Sequence, residues 1–373
     1  MARPRTSSDA LLRAGAAALG ALAAGVLAFA VVALVANPAT SAAEGDAVDA
    51  SSPTPAETAR ILALGPWPPA PAHDARNPAS GNPQGVALGE ALFHSARLSD
   101  TGSVRCASCH EPWRRFTDGR ARALGVSTGA RNTPTLLNAA AHVTFGWDGA
   151  NDELAPQSLR PLRDAREMPA GTAHVAALLR DDTDFGPSVA AVFGTPPDAG
   201  DDAFLRDAGL ALAAYVETLT SARTPFDAWR DALARGDASP TASFPPAAVR
   251  GLRVFVGRGG CVACHAGPSL GDDAFYVSTI HSVGPDGLPD NGRRTGAPNS
   301  FRTPGLREVG ATAPYMHDGS VSTLCDAVLP HALPIAAATP PAPLGRADRR
   351  DLVAFLLTLS AAGGTPPPSC TPG

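Results

Sequence analysis

The longest apolar run in the chain is Ala14 to Val35, which follows Arg3, Arg5 and Arg13 and precedes Ser41-Ala42-Ala43. A basic start, an apolar stretch and a small-residue end make residues 1–43 an export signal cleaved near Ala43. The run also approaches the ~20 residues that cross a bilayer, so an uncleaved membrane anchor is the alternative reading. Residues 44–84 are rich in Pro, Ala, Ser and Asp without a helical period and predict a linker or extended arm, with the folded part beginning near Asn82. Val86, Gly89, Leu92 and Phe93 then fall at helical spacing, and the same spacing returns at Val249, Leu252, Phe255 and Val256. A second pair of amphipathic helices shares one phase: Leu212, Tyr215, Val216 and Leu219 answer Leu352, Phe355, Leu356 and Leu359.

Between these paired helices lie paired motifs. Cys106-Ala107-Ser108-Cys109-His110 follows the first leading helix and Cys261-Val262-Ala263-Cys264-His265 the second, so helix, CxxCH, long loop and closing helix occur twice over. CxxCH is the c-type haem attachment pattern, in which the two cysteines form thioethers to the porphyrin and the histidine ligates iron. Two such motifs in an exported chain predict two c-type haems. The expected fold is mostly α, two cytochrome c-like haem domains in tandem at 85–240 and 241–364, with a boundary at Pro240 to Pro246 and a tail at 365–373.

Six cysteines in an exported chain would otherwise suggest three disulfides, but four are taken by the motifs. Cys325 and Cys370 remain, either as one disulfide tying the tail to the second domain or as free thiols. The net charge is −5 and every basic residue is Arg, which gives no electrostatic footprint for nucleic acid.

What each haem does depends on the group across the iron from its histidine: a second protein ligand makes an electron-transfer haem, an open position a catalytic one. Apart from the initiator, the methionines are Met168 and Met316, and no His or Met occurs from Glu111 to Ala141. The first haem therefore has no ligand from its own following loop. His142 and His174 come next in the sequence, each with an ordinary surface or packing role as the alternative.

Further motifs resemble the bacterial di-haem cytochrome c peroxidases and their MauG-type relatives across roughly residues 82–361. Arg131-Asn132-Thr133-Pro134-Thr135 followed by Trp147-Asp148-Gly149 looks like the segment that family places between its haems. Gln157, Pro161, Glu167 and Met168 stand ten, fourteen, twenty and twenty-one residues after that Trp, as in the family pattern. Phe301-Arg302-Thr303-Pro304 and Thr312-Ala313-Pro314-Tyr315-Met316-His317-Asp318-Gly319 match a second signature.

The resemblance implies a peroxidatic first haem, with Gln157 and Glu167 in its distal pocket and Pro161 lining it. Glu167 would move a peroxide proton from one oxygen to the other, and Gln157 would hydrogen-bond the bound peroxide as charge develops. Trp147 would lie between the porphyrins and carry electrons. A calcium ion would be held by the Asn132 side chain and the carbonyls of Thr312 and Pro314, oxygen donors of the kind a hard cation takes.

The sequence departs from the family at the second haem. The position fourteen residues after the His of the His-Asp-Gly motif, Met or Tyr in the family, is His331. The expectation is a His265/His331 pair, with Met316 as the alternative ligand and an open site third. A bis-His haem is harder to reduce than a Met-ligated one. MauG also has a Trp two residues before its second CxxCH, used to oxidise its protein substrate, and Gly259 stands here.

The function expected is reduction of hydrogen peroxide in the periplasm with electrons from a small c-type cytochrome or cupredoxin. The alternatives are a MauG-like enzyme that oxidises a partner protein and a non-catalytic di-haem electron carrier. A homodimer is left open.

Overall fold

Folded structure begins earlier than composition suggested. Thr54 and Glu57 form a capping box that opens α1 (Pro55–Leu62), with Pro55 in the first turn where its missing N–H costs nothing. Ile61 and Leu64 are fully buried, and Trp67 is 2% exposed with its Nε1–H donated to the Ser221 carbonyl at 3.0 Å. The stretch expected to be a linker thus contributes to the core. Its helix is barely two turns long, too short for an apolar period to stand out against Pro and Ala.

The computed structural model describes residues 53–70, 73–237, 239, 243–329, 332–333 and 343–361, all within one unit spanning 44–373. His331, Cys370 and the N-terminal apolar run lie outside the described residues. Among those described, no helix is long and apolar enough to cross a membrane.

The protein is mostly helical, with two hydrophobic cores, one for each CxxCH motif. The first is built on α2 (Pro83–His94), α3 (Cys106–Cys109), α4 (Leu154–Ser158), α5 (Arg160–Arg163), α6 (Thr172–Asp181), α7 (Phe185–Phe193) and α8 (Asp201–Glu217). The second joins α1 to α9 (Pro225–Ala234), α10 (Pro246–Val256), α11 (Leu324–Ala327) and α12 (Arg346–Leu357). Phe226 and Trp229 of α9 lie in the second core, so the changeover falls before Pro225 and not at Pro240. A small antiparallel sheet, β1 (Phe275–Ser278), β2 (Ser300–Arg302) and β3 (Ala332–Leu333) in the order β2-β1-β3, belongs to the second half.

Each half is organised around one close helix crossing. A Cβ on Gly89 of α2 would lie 2.0 Å from the Ala211 carbonyl oxygen of α8, and one on Gly251 of α10 1.8 Å from that of Asp351 of α12. Only glycine lets these backbones touch. One turn further on, an aromatic pair closes each crossing: Phe93 with Tyr215 at 5.1 Å and Phe255 with Phe355 at 5.2 Å. The matching residues of the leading helices are therefore Gly89 with Gly251 and Phe93 with Phe255, one position off the register the apolar spacing suggested.

The duplication extends into the long loops. Residues 131–158 and 301–328 correspond at a constant offset of 170. Asn138 and Glu308 are both left-handed (φ 67° and 64°), and each opens a 3₁₀ turn, Ala139–Ala141 and Val309–Ala311. Gly146 and Met316 are both left-handed at φ 74°. Isolated bridges pair Phe145 with Asn151 and Tyr315 with Val321, and α4 and α11 begin 170 residues apart. The two loops also clasp each other: the Asn132 N–H donates to the His317 carbonyl (2.8 Å) and the Arg302 N–H to the Trp147 carbonyl (2.9 Å).

A buried ion pair secures the second core. Arg307 forks onto both Asp227 oxygens at 3.0 Å, donates to the Pro268 carbonyl and stacks its guanidinium 3.8 Å over Trp67. Cys325 is disulfide-bonded, while Cys106, Cys109, Cys261 and Cys264 are free thiols.

Candidate functional site

Both CxxCH motifs open onto one cavity of about 1370 Å³. At the first, the Nδ1 of half-buried His110 meets the Phe116 carbonyl at 3.1 Å; at the second, His265 Nδ1 meets the Leu270 carbonyl at 3.1 Å. A carbonyl can only accept, so Nδ1 carries the proton and Nε2 keeps its lone pair, the tautomer an iron ligand needs. Phe116 and Leu270 both have positive φ (57° and 53°), backbone strain spent on aiming these carbonyls. Burial lowers the pKa of His110 and keeps the ring neutral, and it pushes the Cys106 thiol up to about 12 and those of Cys109 and Cys261 to about 11. Four thiols, two preset imidazoles and this volume fit two covalently attached haems.

Polar groups of the first half also line the cavity. Gln157 sits on α4, and its Oε1 accepts from Asn151 Nδ2–H at 2.8 Å, which leaves the Gln157 NH₂ available as a donor at the cavity wall. Pro161 lies in α5, and its carbonyl accepts the Met168 N–H (3.3 Å), folding the 164–168 segment back on itself. The Glu167 carbonyl takes the Val126 N–H at 2.9 Å, an approach possible only because Gly125 has no Cβ, which would lie 2.2 Å from that oxygen. Burial first, and nearby Asp164 second, raise the Glu167 carboxyl above its ordinary pKa.

Trp147 lines the same cavity, half-buried, with its Nε1–H on the Asn132 carbonyl at 3.0 Å. Beside it Asp148 accepts from both terminal nitrogens of Arg160 (2.9 and 3.0 Å) and pairs with Arg131 at 2.8 Å; against the cost of burial, these cations hold its carboxyl below the usual range. Arg131 reaches on to Asp290 at 2.7 and 2.8 Å.

Asn132, Thr312 and Pro314 also border the cavity. Asn132 commits its amide nitrogen to the Arg120 carbonyl (2.8 Å), so its Oδ1 is the acceptor left for a cation.

The remaining ligand candidates separate. His174 is on α6 with its Nε2 on the Arg97 carbonyl at 2.8 Å, and it does not line the cavity. His142 does line it, with Nδ1 committed to Asp273 at 2.8 Å. Met316 and His317 both border the cavity, and His317 stacks its ring on Phe301 (3.7 Å, 15° between planes) with its Nε2 against Ser282. His331 lies outside the described residues. Reading the sequence motif by motif missed Asn151, Asp273 and the two aiming carbonyls. Of these, the 170-residue offset would have exposed Asn151, which faces Val321 in the second half.

These features define a class: a tandem c-type cytochrome whose cavity is lined, on the first half's side, by a carboxyl and an amide. A family model for di-haem cytochrome c peroxidase matches residues 83–235. The MauG protein of methylamine utilisation from Methylorubrum extorquens is 37% identical over 305 residues, covering 78% of this chain and 81% of its own. A cytochrome c551 peroxidase from Nitrosomonas europaea is 31% identical over 249 residues, 65% of this chain and 70% of its own. Among solved structures, a MauG-like protein associated with microbial copper homeostasis superposes with a TM-score of 0.64 at 29% identity, over 80% of this chain and 94% of that one. The chain belongs to the di-haem cytochrome c peroxidase and MauG family, an oxidoreductase family with two c-type haems.

Proposed function

We propose that this chain reduces hydrogen peroxide to water at the first haem, using two electrons and two protons per peroxide. The carrying observation is that Gln157, braced by Asn151, and Glu167, held by its neighbours' backbone, line the cavity that His110 enters. Cys106, Cys109 and His110 would hold the first haem, which would supply iron for peroxide binding and electron transfer. Glu167 takes the proton from one peroxide oxygen and returns it to the departing one, and burial, which raises its pKa, makes it a stronger base than an exposed Glu. Gln157 donates to the oxygen on which charge develops. The donor would be a small exported c-type cytochrome or cupredoxin in the periplasm; Cys261, Cys264 and His265 would hold the second haem, which would supply the electron entry point, and Trp147 would conduct between the two. Asn132, Thr312 and Pro314 would hold a calcium ion, which would tie the joint between the halves.

For the second haem, the ligand position fourteen residues after His317 in the family pattern is His331, which we infer as the sixth ligand. Met316 remains the alternative.

The absence of His or Met in the loop after His110 also favours the second reading, a MauG-like oxidation of a partner protein. Against a MauG-type exit beside the second haem, a Cβ on Gly259 would lie 2.7 Å from the Val254 carbonyl, so a Trp does not fit without displacing backbone.

The test is EPR and optical spectroscopy of the oxidised protein before and after one equivalent of peroxide. A high-spin haem beside a low-spin one, with the high-spin signal lost on peroxide, is the result expected. Two low-spin haems indifferent to peroxide would leave an electron carrier. Turnover with cytochrome donors then separates the peroxidase from the protein-oxidising reading.

A further inference from the structure

The loop duplication gives every residue at the joint a counterpart, and one exchange stands out. The three proposed calcium-site residues, Asn132, Thr312 and Pro314, correspond to Arg302, His142 and Thr144, each pair 170 residues apart. Where one side of the joint offers oxygen donors for a metal cation, the other carries a guanidinium.

That guanidinium is tied down on all sides. Arg302 donates from Nη1 to Asp273 (2.7 Å) and the Thr303 carbonyl (3.3 Å), and from Nε to the Gly146 carbonyl (3.3 Å), while its own N–H holds the Trp147 carbonyl. Asp273 in turn takes His142 Nδ1 at 2.8 Å and the Val143 N–H at 3.0 Å. Arg302, Asp273 and His142 expose only 12%, 11% and 10% of their side chains. The turn they grip also packs through Gly149, where a Cβ would lie 2.2 Å from the Phe275 ring. Backbone groups at 143, 146 and 147 are thus held by one buried Arg–Asp pair from the other half.

We propose that Arg302, anchored by Asp273 and His142, is the positioning residue for Trp147, doing for that turn what the calcium ion does on the opposite side of the joint. The inference rests on the proposed relay through Trp147. A fixed fork serves here because it must reach a carboxylate and two carbonyls at once, which a lysine ammonium on a flexible stem cannot do.

The test uses the two-haem protein. In Arg302→Lys, which keeps the charge, amide hydrogen exchange over residues 143–149 should accelerate at least tenfold with the two cores unaffected. After one equivalent of peroxide, the lag between the first haem's spectral response and the second's should lengthen at least tenfold. Asp273→Asn, which keeps the shape, should do both to a smaller extent, and Trp147→Phe should lengthen the lag without changing the exchange. Unchanged exchange in both clamp variants overturns the proposal, as does faster exchange with an unchanged lag. A normal lag in Trp147→Phe removes the relay and this inference with it, and leaves peroxide reduction standing. Should the unmodified protein ignore peroxide, the proposed function falls, and the exchange measurement alone decides whether Arg302 positions the turn.

Discussion

The two halves share a frame and differ at a handful of wall positions. Gln157 in the first half corresponds to Ala327 in the second, Asn151 to Val321, and Gly146 to Met316. In the first half, the missing side chain at Gly146 leaves space that Arg160, Asp148 and Gln157 use, since a Cβ there would lie 3.0, 3.1 and 3.8 Å from their polar atoms. In the second, Met316 joins Leu324, Val328, Leu344 and Leu352 in an apolar wall. The same helices, crossing glycines and His-to-carbonyl bonds hold both iron ligands, so the difference in chemistry comes from which side chains face across the cavity. A hydrogen-bonding wall suits peroxide. An apolar one suits a haem that only exchanges electrons.

The largest effect should come from removing what the second half lacks. Glu167→Gln is expected to keep both haems and lower peroxide turnover by about 10²–10⁴-fold, measured by stopped-flow mixing with peroxide. Gln157→Ala, which installs the second half's residue, should cost about 10²–10³-fold as a lost oxyanion donor; an unchanged rate would mean that the polar wall is incidental.

The pH profile should show the same asymmetry. Glu167 must be deprotonated to act as base, and its pKa is raised, so turnover should fall as pH drops through a value above the ordinary ~4.3 of a Glu. That acid limb should vanish in Glu167→Gln.

Stability should treat the halves alike. Gly89→Ala and Gly251→Ala each force apart a backbone contact and should each cost about 1–3 kcal/mol, read as matching losses in thermal unfolding. Asp227→Asn, which strands Arg307 in the core, should cost about 3–5 kcal/mol. A large disparity between the two glycine variants would show that one crossing carries the fold alone.

Much of this was legible in the sequence. The CxxCH pairs and closing helices marked the tandem fold, because haem attachment demands fixed residues at fixed spacing. A resemblance pointed to Gln157, Pro161, Glu167 and Trp147, and all four line the cavity. What escaped were features written in backbone. Left-handed Phe116 and Leu270 carry no sequence mark, and Ile61, Leu64 and Trp67 are too sparse to announce a core. The loop repeat escaped for a different reason: Thr133-Pro134 with Thr303-Pro304 and Asp148-Gly149 with Asp318-Gly319 are islands among residues that have diverged with function.

The reciprocal pair of backbone bonds at the joint has a geometric consequence. Residue 132 meets 317 and residue 302 meets 147, each contact the mirror of the other under the same offset, and Arg131 lies 5.7 Å over its own counterpart Phe301. An interface in which i meets j and j meets i is isologous, the kind a two-fold dimer makes with itself. The polypeptide carries within one chain the dyad of a symmetric pair of one-haem units, and Trp147 and His317 are one counterpart pair at which that symmetry has been broken.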